Sequence, residues 1–175
     1  MSKKIERSLK LIEVMNICAW YNNVFTKEDE NGKSKLKSLT LRMQWNLQQN
    51  IKQLSADAEA FEKFRNDAIG DVQKDYAGDD KSEMVDVTDV DANGNPITDA
   101  DGNMQTHQER RIKSEFIDEY NEKINPINDE LIKMLSEEKS YSLTAIDLDA
   151  IIDADNGMIE LSDLDILSAF EQEED

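Results

Sequence analysis

The sequence predicts a mainly α protein with small β elements: a long antiparallel helical hairpin with a β-hairpin tip and a small α+β head. Three observations lead there. Apolar residues recur at alternating steps of four and three through residues 38–76, with no proline among them, which is the seam of a helix that meets another helix. Residues 107–138 repeat apolar residues with nearly the same period. Between the two stretches, residues 77–106 alternate apolar and polar positions and hold two Asp/Asn/Gly turn signals.

Residues 9–25 read as a helix capped by Ser8, with Leu9, Ile12, Ile17 and Trp20 mainly on one side. Leu11, Val14, Met15 and Cys18 widen that stripe, so the helix is expected to be largely covered. Ile5 to Arg7 can form a short strand before it. Residues 26–35 are a polar loop whose Asp29-Glu30-Asn31-Gly32 run is a turn signal. The basic residues Lys33, Lys35, Lys37 and Arg42 follow.

The long helix carries its seam on Leu47, Ile51, Leu54, Ala58, Phe61, Ala68 and Val72, with Arg65 as the polar interruption. At 1.5 Å per residue it would run roughly 55–60 Å, too long to bury its own stripe. The partner stripe is Ile112, Phe116, Tyr120, Ile124, Ile127, Leu131 and Leu135. Pro126 removes a backbone donor, so a kink or short break is expected near Asn125. In the tip, Met84 to Val90 alternates as a half-exposed strand does. Asp91-Ala92-Asn93-Gly94-Asn95 and Asp99-Ala100-Asp101-Gly102-Asn103 turn the chain twice. Tyr141 to Leu148 reads as a strand, Asp149 to Ile152 as a helical turn, and Asp155-Asn156-Gly157 as a turn. Ser162 is the expected cap of a last short helix through Phe170, ahead of an acidic tail from Glu171 to Asp175. The expected division is a head from residues 1–37 and 139–175, and a hairpin from 38–138 with its tip inserted at 77–106.

Charge narrows the partners. The chain has 39 acidic and 20 basic residues, a formal net charge of −19, which repels nucleic-acid backbones and anionic membranes. No direct nucleic-acid binding is therefore expected. Residues 1–50 carry nine Lys/Arg against five Asp/Glu, and residues 136–175 one Lys against thirteen Asp/Glu. The acidic end is read first as a solubilising face. Pairing of the two ends, within one molecule or between copies, is the alternative. No run approaches the ~18 apolar residues of a membrane span, and no apolar run after the basic N-terminus is long enough for a signal peptide. One cysteine permits no internal disulfide. A cytoplasmic protein is expected.

Chemistry-bearing residues are sparse. Asp89, Asp91, Asn93 and Asn95, with Gly94 sixth, match the first half of a calcium loop. Pro96 stands at position eight and Ala100 at position twelve, where a bidentate glutamate belongs, so a plain turn is the stronger account. Asp153-Ala154-Asp155-Asn156-Gly157 has its glycine one position early and is also read as a turn. His107 is the only histidine and is read as a surface or capping residue. Cys18, among apolar neighbours, is read as core. No catalytic residue, metal or cofactor is expected, and enzymatic activity is not. Trp20, Tyr21, Phe25 and Trp45 are read as packing for the head. A partner-binding patch made from them is the sharper alternative, since aromatic residues dominate binding hot spots.

The order of elements carries a resemblance. Gly32-Lys33-Ser34-Lys35-Leu36-Lys37 precedes the long helix with its Gln53-Leu54. The Asp/Asn/Gly hairpin of 89–103 follows, and then Asn128-Asp129-Glu130-Leu131-Ile132-Lys133-Met134-Leu135-Ser136-Glu137-Glu138 in the second helix. This layout resembles a small class of tailed-bacteriophage and prophage proteins encoded among structural and lysis genes. The resemblance implies a virion, assembly or host-interaction role, in the host cytoplasm or the particle, and brings no catalytic or ligand motif. The leading expectation is a non-enzymatic interaction or assembly factor with a protein partner and possible self-association. An acidic DNA mimic that inhibits a host defence or DNA-binding protein is the alternative, and a weak calcium-responsive module the third.

Overall fold

The computed structural model describes residues 3–99, 101–154 and 157–171. The fold is mainly helical with small antiparallel β elements, as the sequence predicts. It forms two compact units, Met1–Phe64 with Leu131–Asp175, and Arg65–Glu130.

The first unit opens on strand β1, Lys4–Lys10, which pairs antiparallel with β4, Glu138–Thr144. The register puts Ile5 opposite Leu143 and Arg7 opposite Tyr141. Strand alternation therefore turns Leu9, Tyr141 and Leu143 into the core while the intervening residues stay exposed. Helix α1, Leu11–Trp20, follows directly and continues through a π turn at Tyr21–Phe25. It starts later than Ser8 predicts, because β4 captures residues 4–10 as a strand. Glu13 then caps the helix by accepting from the Lys10 N–H at 2.7 Å. Ser34 accepts from the Lys37 N–H and caps the single turn α2, Lys35–Ser38.

Helix α3, Leu41–Asp75, is the long one. Its Leu47, Ile51, Leu54 and Ala58 pack into the first unit's core with Val14, Phe25, Leu143 and Phe170. The seam expected to face a second helix is therefore partly covered by the head. The short helices α5, Leu148–Ala154, and α6, Leu161–Leu167, with a 3-10 turn at Ser168–Phe170, complete this core through Ile151, Leu167 and Phe170. The Ile146 N–H donates to the Phe170 carbonyl at 2.8 Å and ties the last helical turn beside β4.

The second unit holds the end of α3, the tip hairpin and most of helix α4, Ile117–Leu135. β2, Ser82–Thr88, pairs antiparallel with β3, Thr106–Ile112. The helix expected from residue 107 thus begins only at 117, after a 3-10 turn at Ser114–Phe116. Ile112 belongs to a strand and Phe116 to that turn, so neither is a helical seam residue. The apolar spacing was continuous across the change of structure, and β pairing with 82–88 overrode it. Tyr76 is 2% exposed and seals this unit. It meets the Tyr120 ring edge-on at 5.2 Å and donates to Glu119 at 2.8 Å. The ammoniums of Lys81 and Lys123 lie 4.5 and 4.9 Å from its ring centre.

Pro126 stands inside α4 without the expected break. Its missing N–H leaves the Glu122 carbonyl without its helical donor, and Glu122 is exposed, where water can serve. Pro126→Ala should therefore raise stability by about 2 kcal/mol, the ~3 kcal/mol helical penalty less ~1 for the looser unfolded chain. A higher urea midpoint with an unchanged slope is the expected readout.

Candidate interaction surfaces

The four aromatic residues expected to cluster are divided by the fold. Trp20, Tyr21 and Phe25 are buried, and the Trp20 and Phe25 rings lie 4.5 Å apart. Their position on the inner side of α1 and its π turn leaves them no surface to offer. Trp45, on the first turns of α3, is 62% exposed. Leu41, one turn earlier, is 83% exposed, so the two form an apolar ridge in solvent. Arg42 lies between them in sequence and forms no ion pair among the described residues.

Trp20 is anchored by a polar centre that the sequence did not single out. The Asp163 Oδ1 accepts from the Trp20 indole N–H at 2.8 Å, and Oδ2 accepts from Lys35 at 2.7 Å and from the Glu160 N–H at 2.8 Å. Asp163 is 1% exposed. Burial pushes its carboxyl up, but Lys35, the Glu160 N–H and Trp20 outweigh that and hold it below the usual range. The same bonds explain why α6 is capped from Glu160 and not from Ser162, whose hydroxyl is two positions too late to reach the first free N–H groups. An acid three residues after the cap was the only sequence signal available.

Asn50 is the second buried polar residue of consequence. Its side chain donates to the Thr144 carbonyl at 2.8 Å and accepts from the Thr144 N–H at 2.7 Å. A helix side chain here takes the place of a neighbouring strand.

In the tip, the two turns repeat the same bonds eight residues apart. Asp91 Oδ1 accepts from the N–H groups of Asn93 and Asn95, and Asp99 Oδ1 from those of Asp101 and Asn103. Gly94 and Gly102 both sit at φ 83°, a region open to glycine. Asp89 donates to Gln105, Gln105 to Ile97, and Ile97 to Asp89, so three backbone segments close a ring. The backbone N–H of Asn95 first, and that of Asn93 next, hold the Asp91 carboxyl low; Asn103 does the same at Asp99. These oxygens serve as turn acceptors, which accounts for the calcium-like spacing without an ion. Ala100 lies outside the described residues, as do Asp155 and Asn156 of the second calcium-like run and residues 172–175 of the acidic tail. The tip leaves Val90, Ile97 and Met104 exposed at 55%, 37% and 63%. His107, on β3, pairs with Asp89 at 2.6 Å.

Of the seam residues, Leu47, Ile51 and Leu54 lie in the first unit's core; Phe61, Ile124 and Leu131 are buried outside that cluster. Tyr120 and Leu135 are half-buried. Beside Phe61, within the first unit, lies an open cleft of about 540 Å³. Phe64, Leu11 and Met134 give it apolar walls. Tyr141 donates to Asp57 at 2.7 Å and Lys139 binds the same carboxylate at 2.7 Å. The bond from Lys139 is the main cause that holds the Asp57 carboxyl low, while burial and Asp57 push the Tyr141 phenol up.

Cys18 is buried, and burial, with Glu59 second, pushes its thiol up to about 11. Alkylation of the native protein at mildly alkaline pH should run roughly a hundredfold or more slower than in urea, because little thiolate exists and little is reachable. Mass spectrometry of timed samples checks this.

No described helix is long and apolar enough to cross a membrane. No family model, curated protein or solved structure matches the chain.

Proposed function

We propose that the protein is a non-enzymatic interaction or assembly factor, of a phage particle or its morphogenesis. The observation that carries this reading is the set of large apolar side chains exposed to solvent: Leu41 and Trp45 on α3, and Val90, Ile97 and Met104 on the tip. Burying such side chains is favourable at ~25 cal/mol per Å², and tryptophan is enriched among interface anchors. The buried polar groups point the same way. Asp163, Asn50 and Tyr76 are engaged in hydrogen bonds that hold the fold. The phage context rests on the element layout of the sequence.

The test is cross-linking of the purified chain with the capsid and tail proteins of a phage that encodes it, followed by sedimentation of the mixture. A complex that Trp45→Ser or Met104→Asp weakens supports the reading. Independent sedimentation of the chain with every structural protein overturns it.

A further inference from the structure

We propose that the protein assembles with itself head to tail, the Leu41–Trp45 ridge of one copy seating in the cleft beside Phe64 of the next. The inference deepens the assembly reading and names the partner as a second copy of this chain. Both surfaces belong to the first unit; the ridge lies on the start of α3, and Asp57, Ala60, Phe61 and Phe64 of the same helix form one wall of the cleft. Leu41 and Trp45 precede Ala60 and Phe64 by nineteen residues each on this helix, about 28 Å along its axis at 1.5 Å per residue, so one copy cannot fill its own cleft.

Shape and charge both match. The ridge projects two bulky apolar side chains one turn apart. The cleft, at about 540 Å³, has the size of sites that enclose groups of this bulk, and Phe64 on its wall is 49% exposed. The ridge carries the cation Arg42. The cleft's own carboxylate, Asp57, is already matched by Lys139. Glu137 and Glu138 also line the cleft, and neither forms an ion pair among the described residues; Glu138 only accepts from Ser8. Arg42 of one copy would supply the missing countercharge to the next.

A ridge and a cleft are different surfaces, so the contact is heterologous and repeats from copy to copy into a ring or a filament. That geometry yields a test that separates it from ordinary dimerisation. Trp45→Ser removes the ridge and leaves the cleft. Phe64→Asp spoils the cleft and leaves the ridge. Both positions are exposed, and circular dichroism verifies that each variant folds. Sedimentation velocity over a concentration series should show the wild type growing beyond a dimer. Each variant alone should associate more weakly by roughly tenfold or more. An equimolar mixture of the two should form a dimer and stop there, because each supplies the one surface the other lacks. Arg42→Glu should weaken association, and Glu137→Arg in the same chain should restore it.

A wild type that stays monomeric throughout, variants that associate as well as wild type, or a mixture that fails to dimerise would each overturn the inference. A monomer that still binds a capsid or tail protein through Trp45 would overturn self-assembly while leaving the assembly reading intact.

Discussion

Asp163→Ala should destabilise the first unit by about 3–5 kcal/mol, the usual cost of removing one partner from a buried ion pair. The Trp20 indole N–H and the Glu160 N–H lose their acceptor at once, and the Lys35 ammonium loses its nearer one and keeps only the largely exposed Glu160 carboxylate at 3.3 Å. Lys35 has only 16% of its side chain exposed, so water cannot fully replace the carboxylate. Asp163→Asn should cost less, because one oxygen can still accept from Trp20, but its amide would confront the Lys35 ammonium with a donor. Lys35→Met paired with Asp163→Asn should recover part of the loss, since the half-buried ammonium left with Glu160 alone is then gone. Urea unfolding of the four proteins forms the cycle. Strictly additive effects would show that the pair does not act as a unit.

The same centre sets a pH window. The Asp163 carboxyl is lower in the folded state than in the unfolded chain. Its contribution is therefore present above about pH 4 and is lost as pH falls through the lower, folded value. For Lys35, burial lowers the ammonium, but Asp163 and Glu160 outweigh it and raise it. That contribution is present below about pH 10.4 and is lost as pH rises through the folded value. Wild-type stability should fall at the acid end more steeply than that of Asp163→Asn, whose site has no proton to gain there.

Much of the fold was legible because its signals are local. The Leu47-to-Val72 stripe and the absence of proline read directly as α3. The Asp-x-x-Gly-Asn runs read as turns because their carboxylates and glycines act within five residues. The alternation of Tyr141 and Leu143 read as a strand. What failed was non-local. Ile112 continues the four-residue spacing of Phe116 and Tyr120 and so reads as helical, and only the pairing of His107 with Val87 and of Ile112 with Ser82 makes residues 107–112 a strand. Trp20 and Trp45 are the same residue type on neighbouring helices, and nothing in either segment says which the core will cover. Asp163 looked like one acid among many, because its worth comes from Lys35, 128 residues away in sequence.

Asn50 shows the same point with a consequence that can be measured at a single amide. It sits between Leu47 and Ile51 on the buried side of α3 and is 1% exposed. A polar residue so placed costs free energy unless every donor and acceptor is matched. Asn50 meets that condition by pairing with both the N–H and the carbonyl of Thr144. Leucine would fill similar space and strand both backbone groups, each unsatisfied group costing about 1–3 kcal/mol. Asn50→Leu should therefore lose about 3 kcal/mol in urea unfolding, although it makes the core more apolar. Asn50→Asp would keep an acceptor for the Thr144 N–H and turn the other oxygen against the Thr144 carbonyl, so it should also destabilise. Hydrogen exchange separates the two: the Thr144 amide should lose protection in the leucine variant and retain more of it in the aspartate. Unchanged protection in both would mean that β4 holds its end through β1 alone, and that Asn50 merely fills space.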